Sequence, residues 1–366
     1  KKALNNTEKV AEKCSGSIKL SSDKPLFPSV KVPAGRTPES HLTLLSWEGL
    51  YKYLAAHPEC DRIAYESRLK EELNIINPKG FAPYMLTVRE YINWSDRNGI
   101  VTGPGRGSAA GSLCLFCIGI TKNIDPIKQN LIFSRFLTAD RIDPPDIDSD
   151  FQWERRGEVI QHLKDYYGED HVAHIGTYSH MGVKSGLKDV CRVLDLPFKE
   201  SNNITSMIDE INDSPSIKFK DFDAMKDGDE NERRAWEKFD ALEKKYPEIF
   251  RLARAFEGTP RNQGVHASGV LVMPIPVTDI FPVRYKDGVA IALWTGPQLE
   301  QCRSIKCDIL GLKTLDIIQK TISFVPGVKN IRDLYRKVDS EDKKVWQYIS
   351  SKETDAVFQI ESGMMK

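Results

Sequence analysis

The chain has little cysteine, no excess of either charge and no long apolar run, and each shortage excludes a class of protein. Seven cysteines among 366 residues are odd in number and scattered, which fits a reducing compartment better than a disulfide framework. Cys114 and Cys117 form a C-x-x-C, but they stand in the apolar stretch 113–120. No second C-x-x-C or zinc-finger His pair accompanies them, so they read as buried helix. Lys and Arg number 52 against 52 Asp and Glu. That balance leaves no global basic field of the kind that coats nucleic acid, so any contact with a polyanion must come from local patches. There is no transmembrane run and no signal peptide, and no Ser-His-Asp or Cys-His nucleophilic centre. What remains is 40% hydrophobic and 28% charged, an ordinary globular composition with length for two or three domains.

Two motifs stand out. Residues 103–112 read Gly-Pro-Gly-Arg-Gly-Ser-Ala-Ala-Gly-Ser. Glycines at 103, 105, 107 and 111 remove Cβ atoms where a backbone must approach a ligand closely, and Ser108 reads as the N-cap of a helix over 109–120. Amides at a helix start, with Arg106 beside them, form an anion site. A tight turn before a buried helix is the plainer alternative. The loop has neither the Gly-Lys-Ser/Thr ending of a Walker motif nor G-x-G-x-x-G spacing.

Residues 145–151 then read Pro-Asp-Ile-Asp-Ser-Asp-Phe. In an extended strand alternate residues share a face at about 6.6 Å spacing, so Asp146, Asp148 and Asp150 present carboxylates together while Ile147 and Phe151 serve packing. Crowded carboxylates are hard ligands suited to magnesium or manganese. Two such ions roughly 3.5–4 Å apart can clamp the attacking and leaving oxygens of a phosphoryl transfer. An EF-hand would need Gly and Glu where Phe151 and Gly157 stand, and a solvated acidic strand is the bland alternative.

The surrounding pattern is discontinuous. Residues 1–45 are polar, with turn signals at Ser21-Ser22-Asp23-Lys24-Pro25 and Pro33-Ala34-Gly35-Arg36. Leu44, Trp47, Tyr51 and Leu54 recur at helical intervals within 38–56. Residues 156–255 read as helices, with Val159, Leu163 and Tyr166 on one face and Trp236, Phe239, Leu242 and Tyr246 on another. The highly charged stretch 208–234 reads as an exposed excursion, its cations interleaved with acids. From Gly269 the pattern turns to strands at 270–272, 290–294 and 305–309, and 320–366 is helical.

Segments 101–113, 133–151, 155–160, 189–194, 259–272 and 306–314 resemble the polymerase core of the bacterial C-family replicative DNA polymerases, the alpha subunit of DNA polymerase III. The opening Asn6-Thr7-Glu8-Lys9-Val10-Ala11-Glu12-Lys13-Cys14 is similar to that family's helix leaving an amino-terminal phosphoesterase-like domain, and Ser46-Trp47-Glu48-Gly49-Leu50 resembles the helix that follows. The resemblance implies an α+β fold: a nucleotidyltransferase-like palm with a mixed β-sheet, a helical thumb inserted between palm halves, and the start of helical fingers. It divides the chain into 1–60, helices and linker following the phosphoesterase-like domain; 61–155, first part of the palm; 156–255, thumb; 256–319, second part of the palm; and 320–366, truncated fingers.

It also implies site residues. Asp146, Asp148 and Asp308 are expected as the metal-holding catalytic aspartates, with Asp150 in a supporting role. Arg106, Gly107, Ser108, Arg135 and Lys306 are expected around the nucleotide. Arg141, Lys184, Arg192, Arg261, Asn262 and His266 are candidate primer or phosphate contacts. Read alone, Asp308 is an ordinary helix-start cap, and His266 a hydrogen-bonded structural histidine.

The implied activity is template-directed DNA synthesis by a DNA-directed DNA polymerase in replication. A deoxynucleoside monophosphate passes from dNTP to a primer 3′-hydroxyl with two Mg2+ ions, Mn2+ being an alternative. The implied partners are primer–template DNA, dNTP, and a sliding clamp with other replisome subunits bound through regions outside this chain. The implied location is the cytoplasm of a bacterial or phage-infected cell. Before Asp308 the family usually shows Gln followed by an aromatic residue, whereas here the stretch reads Ala292-Leu293-Trp294-Thr295-Gly296-Pro297-Gln298, which points to a phage-encoded or divergent member. A template-independent nucleotidyltransferase and a catalytically silent DNA-binding relic are the alternatives; the thumb-like insertion argues against the first, and the three aspartates against the second.

Overall fold

A computed structural model describes residues 2–14, 25–212, 214, 216–339, 341–355 and 357–366. The turn read at 21–25 therefore lies outside the described residues except for Pro25. The chain opens with helices α1 (Lys2–Cys14), α2 (Pro38–Ala56), α3 (Arg62–Ile76), α4 (Ala82–Arg97) and α5 (Leu113–Cys117). Strand β1 (Asp148–Gln152), helix α6 (Arg156–Tyr167) and strand β2 (Val172–His180) follow. Next comes a run of helices, α7 (Val183–Val193), α8 (Phe198–Ile211), α9 (Phe219–Ala224), α10 (Glu230–Lys245) and α11 (Pro247–Phe256). Strands β3 (Pro260–Val272), β4 (Val283–Lys286) and β5 (Val289–Ala292) lead through α12 (Gly296–Gln301) to β6 (Lys306–Leu312), and α13 (Lys313–Ile322), α14 (Ile331–Lys337) and α15 (Lys343–Ser350) close the order.

Local sequence accounts for the helix starts. Thr37 and Ser40 form a reciprocal capping box before α2, with Pro38 at its first position, where a missing N–H is harmless. Asp61 caps α3 by accepting from Ile63 N and Ala64 N, and Asp229 with Glu232 boxes the start of α10.

The six strands form one mixed sheet in the order β1-β6-β3-β2-β5-β4. β1 runs parallel to β6 and β2 parallel to β5, while β3–β6 and β4–β5 are antiparallel. This mixed α and β architecture agrees with the palm-like expectation. Along β3 the apolar residues alternate faces as the period of two requires. Val270 and Val272 join a core with Phe151, Ile309 and the helices α2–α6, and Leu271 packs with Ala173, Ile175, Ala292 and Phe281 in a second core.

The chain divides into two compact units, residues 1–175 with 266–366, and 176–265. The second has its own core of Leu187, Ile208, Phe219, Phe222, Phe239 and Phe250, with Phe222 and Phe239 stacked at 4.3 Å. Arg254 crosses that core, bonding Glu243 and Asp223. Among the described residues no helix is long and apolar enough to cross a membrane.

Candidate active site

The site begins at the pairing of β1 with β6. In their register Asp148 stands opposite Asp308 and Asp150 opposite Leu310. Asp148 and Asp150, two apart on one strand, face the same side, and Asp146 lies just before the strand. Tyr84 is buried and accepts from Ile147 N at 3.2 Å, while the hydroxyls of Tyr91 and Ser149 lie 3.3 Å apart. These contacts fasten the strand between its carboxylates.

The glycine loop leaves from the edge of this strand. Gln152 N donates to Val101 O at 2.9 Å and Gly103 N to Asp150 O at 2.8 Å, so the chain entering the loop lies antiparallel against β1 through the bridge of Thr102 to Phe151. A Cβ on Gly103 would sit 2.8 Å from Asp150 Cβ, which is why this strand approach needs glycine. Gly105 and Gly107 have φ of +99° and +62°, a region open to glycine at little cost. The expected long helix does not start at Ser108. Residues Gly107–Gly111 form a 3-10 turn, and Ser112 caps the short α5 through Leu115 N. Glycines bound this turn, and the buried Glu72 carboxylate accepts from Leu113 N and Cys114 N, which favours a helix restarted at Ser112.

Charge in the site is closely packed. Arg106 Nε lies 3.6 Å from Asp148 Oδ2 and 3.7 Å from Asp150 Oδ1. Asp150 Oδ1 and Arg106 Nε are both buried without a hydrogen-bond partner, an ion pair that falls short of a bond. Lys306 Nζ is 3.0 Å from Asp308 Oδ2, and Ser268 Oγ donates to Asp308 Oδ1 at 3.0 Å. Burial raises the Asp148 pKa above its ordinary value; Arg106 pulls it back, and the charges of Asp308 and Asp146 push it further up. Burial acts against the Lys306 ammonium, but its bond to Asp308 and the charges of Asp308 and Asp146 hold its pKa above the ordinary value.

Among the described residues no group of three or more His, Cys, Asp or Glu side chains stands ready to hold a metal ion. Asp308 is engaged by Lys306 and Ser268, and Asp148 is approached by Arg106. The donor set nevertheless has the chemistry of a hard divalent cation site, since Asp146, Asp148 and Asp308 offer carboxylate oxygens and the charges of Asp308 and Asp146 add to burial in raising the Asp148 pKa.

Asp146, Lys306, Arg141 and Tyr84 also line a pocket of about 460 Å3, within the range of small-ligand sites. Arg141 turns its guanidinium to carbonyls of its own loop, Phe136 O and Pro144 O, and Arg135 is exposed. His266 Nδ1 accepts from Gly269 N at 2.8 Å and Ser268 N at 3.3 Å, so it shapes the stretch of β3 that delivers Ser268 to Asp308.

Within 176–265, Arg261 makes a two-point contact with Asp189 at 2.8 and 3.1 Å, Arg192 lies 3.4 Å from the same carboxylate, and Lys184 pairs with Asp209. Asn262 N donates to Ser179 Oγ at 3.2 Å. Ser268 and Tyr84 escaped sequence reasoning. Ser268 stands two residues after His266, and its proximity to Asp308 follows only from the β3–β6 register of Gly269 with Asp308.

Comparison with known proteins adds the family. A family model described as bacterial DNA polymerase III alpha NTPase domain matches residues 40–311, and one described as bacterial DNA polymerase III alpha subunit finger domain matches 314–366. DNA polymerase III subunit alpha of Aquifex aeolicus (strain VF5) is 35% identical over 384 residues, covering 100% of this chain and 33% of that protein. That of Escherichia coli (strain K12) is 35% identical over 379 residues, covering 100% of this chain and 31% of that protein. The Bacillus subtilis (strain 168) protein is 33% identical over 365 residues, again with 100% and 31% covered. The chain thus spans about a third of the length of these curated relatives.

Proposed function

Since the chain belongs to the bacterial DNA polymerase III alpha family, we propose that it is the catalytic core of a DNA-directed DNA polymerase that copies a template in replication. The observation that carries this reading is the register of Asp148 with Asp308 beside a glycine loop fastened to the same strand. Asp146, Asp148 and Asp308 are the residues that would hold divalent metal, with Asp150 and Arg106 balancing charge behind them. Bound magnesium supplies Lewis-acid activation of the primer 3′-hydroxyl and charge neutralisation on the phosphates.

The protein's own groups bind and orient. Gly107 and Ser108 offer backbone approach to the triphosphate, and the cations Arg106, Arg135 and Lys306 favour the charge that develops as pyrophosphate departs. Holding the primer hydroxyl and the α-phosphate in line supplies much of the rate enhancement, and no covalent intermediate is required. In this reading 61–155 and 256–319 act as palm, 156–255 as thumb, and 320–366 as the start of fingers. Arg141, Lys184, Arg192, Arg261, Asn262 and His266 are assigned to primer or phosphate contacts. Primer–template DNA and dNTP are the substrates, a sliding clamp and other replisome subunits the partners, and the bacterial cytoplasm the setting.

The test is primer extension on a templated duplex with magnesium and all four dNTPs. It uses the longest natural polypeptide that contains these 366 residues beside its Asp148→Asn variant. Template-matched extension, slowed in the variant by more than about 100-fold, is expected from loss of a metal ligand. Untemplated addition would move the chain to the terminal transferases, and no extension by the unaltered protein would mark a silent relic.

A further inference from the structure

The glycine loop has a second support, remote from the aspartates. Glu72 on α3 is fully buried, and its carboxylate meets four donors. Oε1 accepts from Arg68 Nε at 2.7 Å and Leu113 N at 2.9 Å, and Oε2 from Ser112 Oγ and Cys114 N, each at 2.9 Å. Arg68, one turn earlier on the helix, also donates through Nη2 to Gly111 O at 2.9 Å and Leu131 O at 3.2 Å. A buried carboxylate is tolerated when its lone pairs are satisfied and a cation stands beside it. Here every partner of the carboxylate except Arg68 belongs to the segment 112–114, where the loop ends.

The loop is therefore tied at both ends. Gly103 N bonds Asp150 O, and Pro104 O accepts from Lys122 N at 2.7 Å; the far end hangs on Arg68 and Glu72. Between the ties lie Arg106, Gly107 and Ser108. A loop that grips substrate through backbone atoms binds only where it is held, so loosening one tie weakens nucleotide binding before it slows the bound complex.

We propose that Arg68 and Glu72 are a positioning pair for the nucleotide-binding loop, fixing its far end so that Gly107 and Ser108 receive the triphosphate of the incoming dNTP. Neither side chain touches substrate. The proposal rests on the polymerase reading above and adds to it the residues that set nucleotide affinity from behind the loop.

The experiment is steady-state primer extension with varied dNTP, together with thermal melts, on the same natural polypeptide. Glu72→Gln replaces one acceptor oxygen by an amide donor facing other donors. Its dNTP KM is expected to rise about tenfold, as for other supporting-shell residues, with kcat within about threefold and the KM for primer–template unchanged. Arg68→Lys leaves a charge beside Glu72 but cannot reach the carboxylate and Gly111 O together, and its dNTP KM is expected to rise about threefold. A lowered melting temperature with an unchanged dNTP KM in both variants would overturn the proposal and leave a core ion pair. If Glu72→Gln does not fold, Arg68→Lys decides on the same criterion. Extension by the unaltered protein with no KM effect sinks this inference alone, whereas failure of the unaltered protein to extend removes the polymerase reading and this inference with it.

Discussion

Asp148 is half-buried beside two other carboxylates, and that burial and crowding have a measurable consequence. Its folded pKa is raised, first by burial and then by Asp308 and Asp146 against the pull of Arg106, so the fold favours the protonated acid. The sign follows from linkage. Below the unfolded value of 3.8 the group is protonated in both states and exacts nothing. As pH rises through the raised folded value, ionisation removes stability. In chelator-treated buffer Asp148→Asn is therefore expected to melt higher than the unaltered protein at pH 7, with the difference vanishing below about pH 4. Millimolar magnesium should reverse the order, stabilising the protein that keeps its carboxylate. Scanning calorimetry at the two pH values, with and without magnesium, checks both halves; an equal melting temperature at pH 7 would mean that the fold does not disfavour the ionised Asp148.

Helices and strands here are held by single atoms of clearance. A Cβ on Gly49, in α2, would stand 2.0 Å from the carbonyl oxygen of Cys117 at the end of α5, whereas a Cβ on Gly157, in α6, meets nothing within 4 Å. Gly49→Ala is expected to lower stability by about 1–3 kcal/mol through overpacking, and Gly157→Ala to raise it by up to about 1 kcal/mol through helix propensity. Denaturant midpoints at constant slope would show the opposite signs.

The same local logic explains what could be read beforehand. The helix at Pro38–Ala56 and the strand carrying Asp148 and Asp150 were legible because their periods and caps lie within a few residues of one another, although Asp146, expected on the same strand, lies just before it. The break of the loop helix at Ser112 was not legible, because Glu72, which shapes it, lies 40 residues upstream. Ser268 and Tyr84 were hidden for the same reason, as strand register and a distant helix bring them in. Asp308 was named through family resemblance, since its own surroundings read as an ordinary cap.

The two units carry separate cores, and their stabilities are expected to separate too. Phe250 is fully buried against Phe239 and Phe219 within 176–265. Phe250→Ala is expected to cost that unit about 3–5 kcal/mol. In calorimetry or native-state hydrogen exchange the transition of 176–265 should fall while that of the sheet-bearing unit holds its temperature. A uniform shift of both would mean one cooperative body.

The β1–β6 pairing also sets a clock. Asp148 and Asp308 are neighbours on adjacent strands, yet everything from 149 to 307 must be synthesised before they can meet. A growing chain therefore carries its first aspartates and its glycine loop for many seconds on a ribosome, at about 5–20 residues per second, without the strand that completes the sheet there. The helical unit of 176–265 can fold in that interval on local contacts, while the β1–β6 pair waits for the long-range closure that limits such topologies. No nascent fragment ending before Asp308 can assemble the aspartate pair.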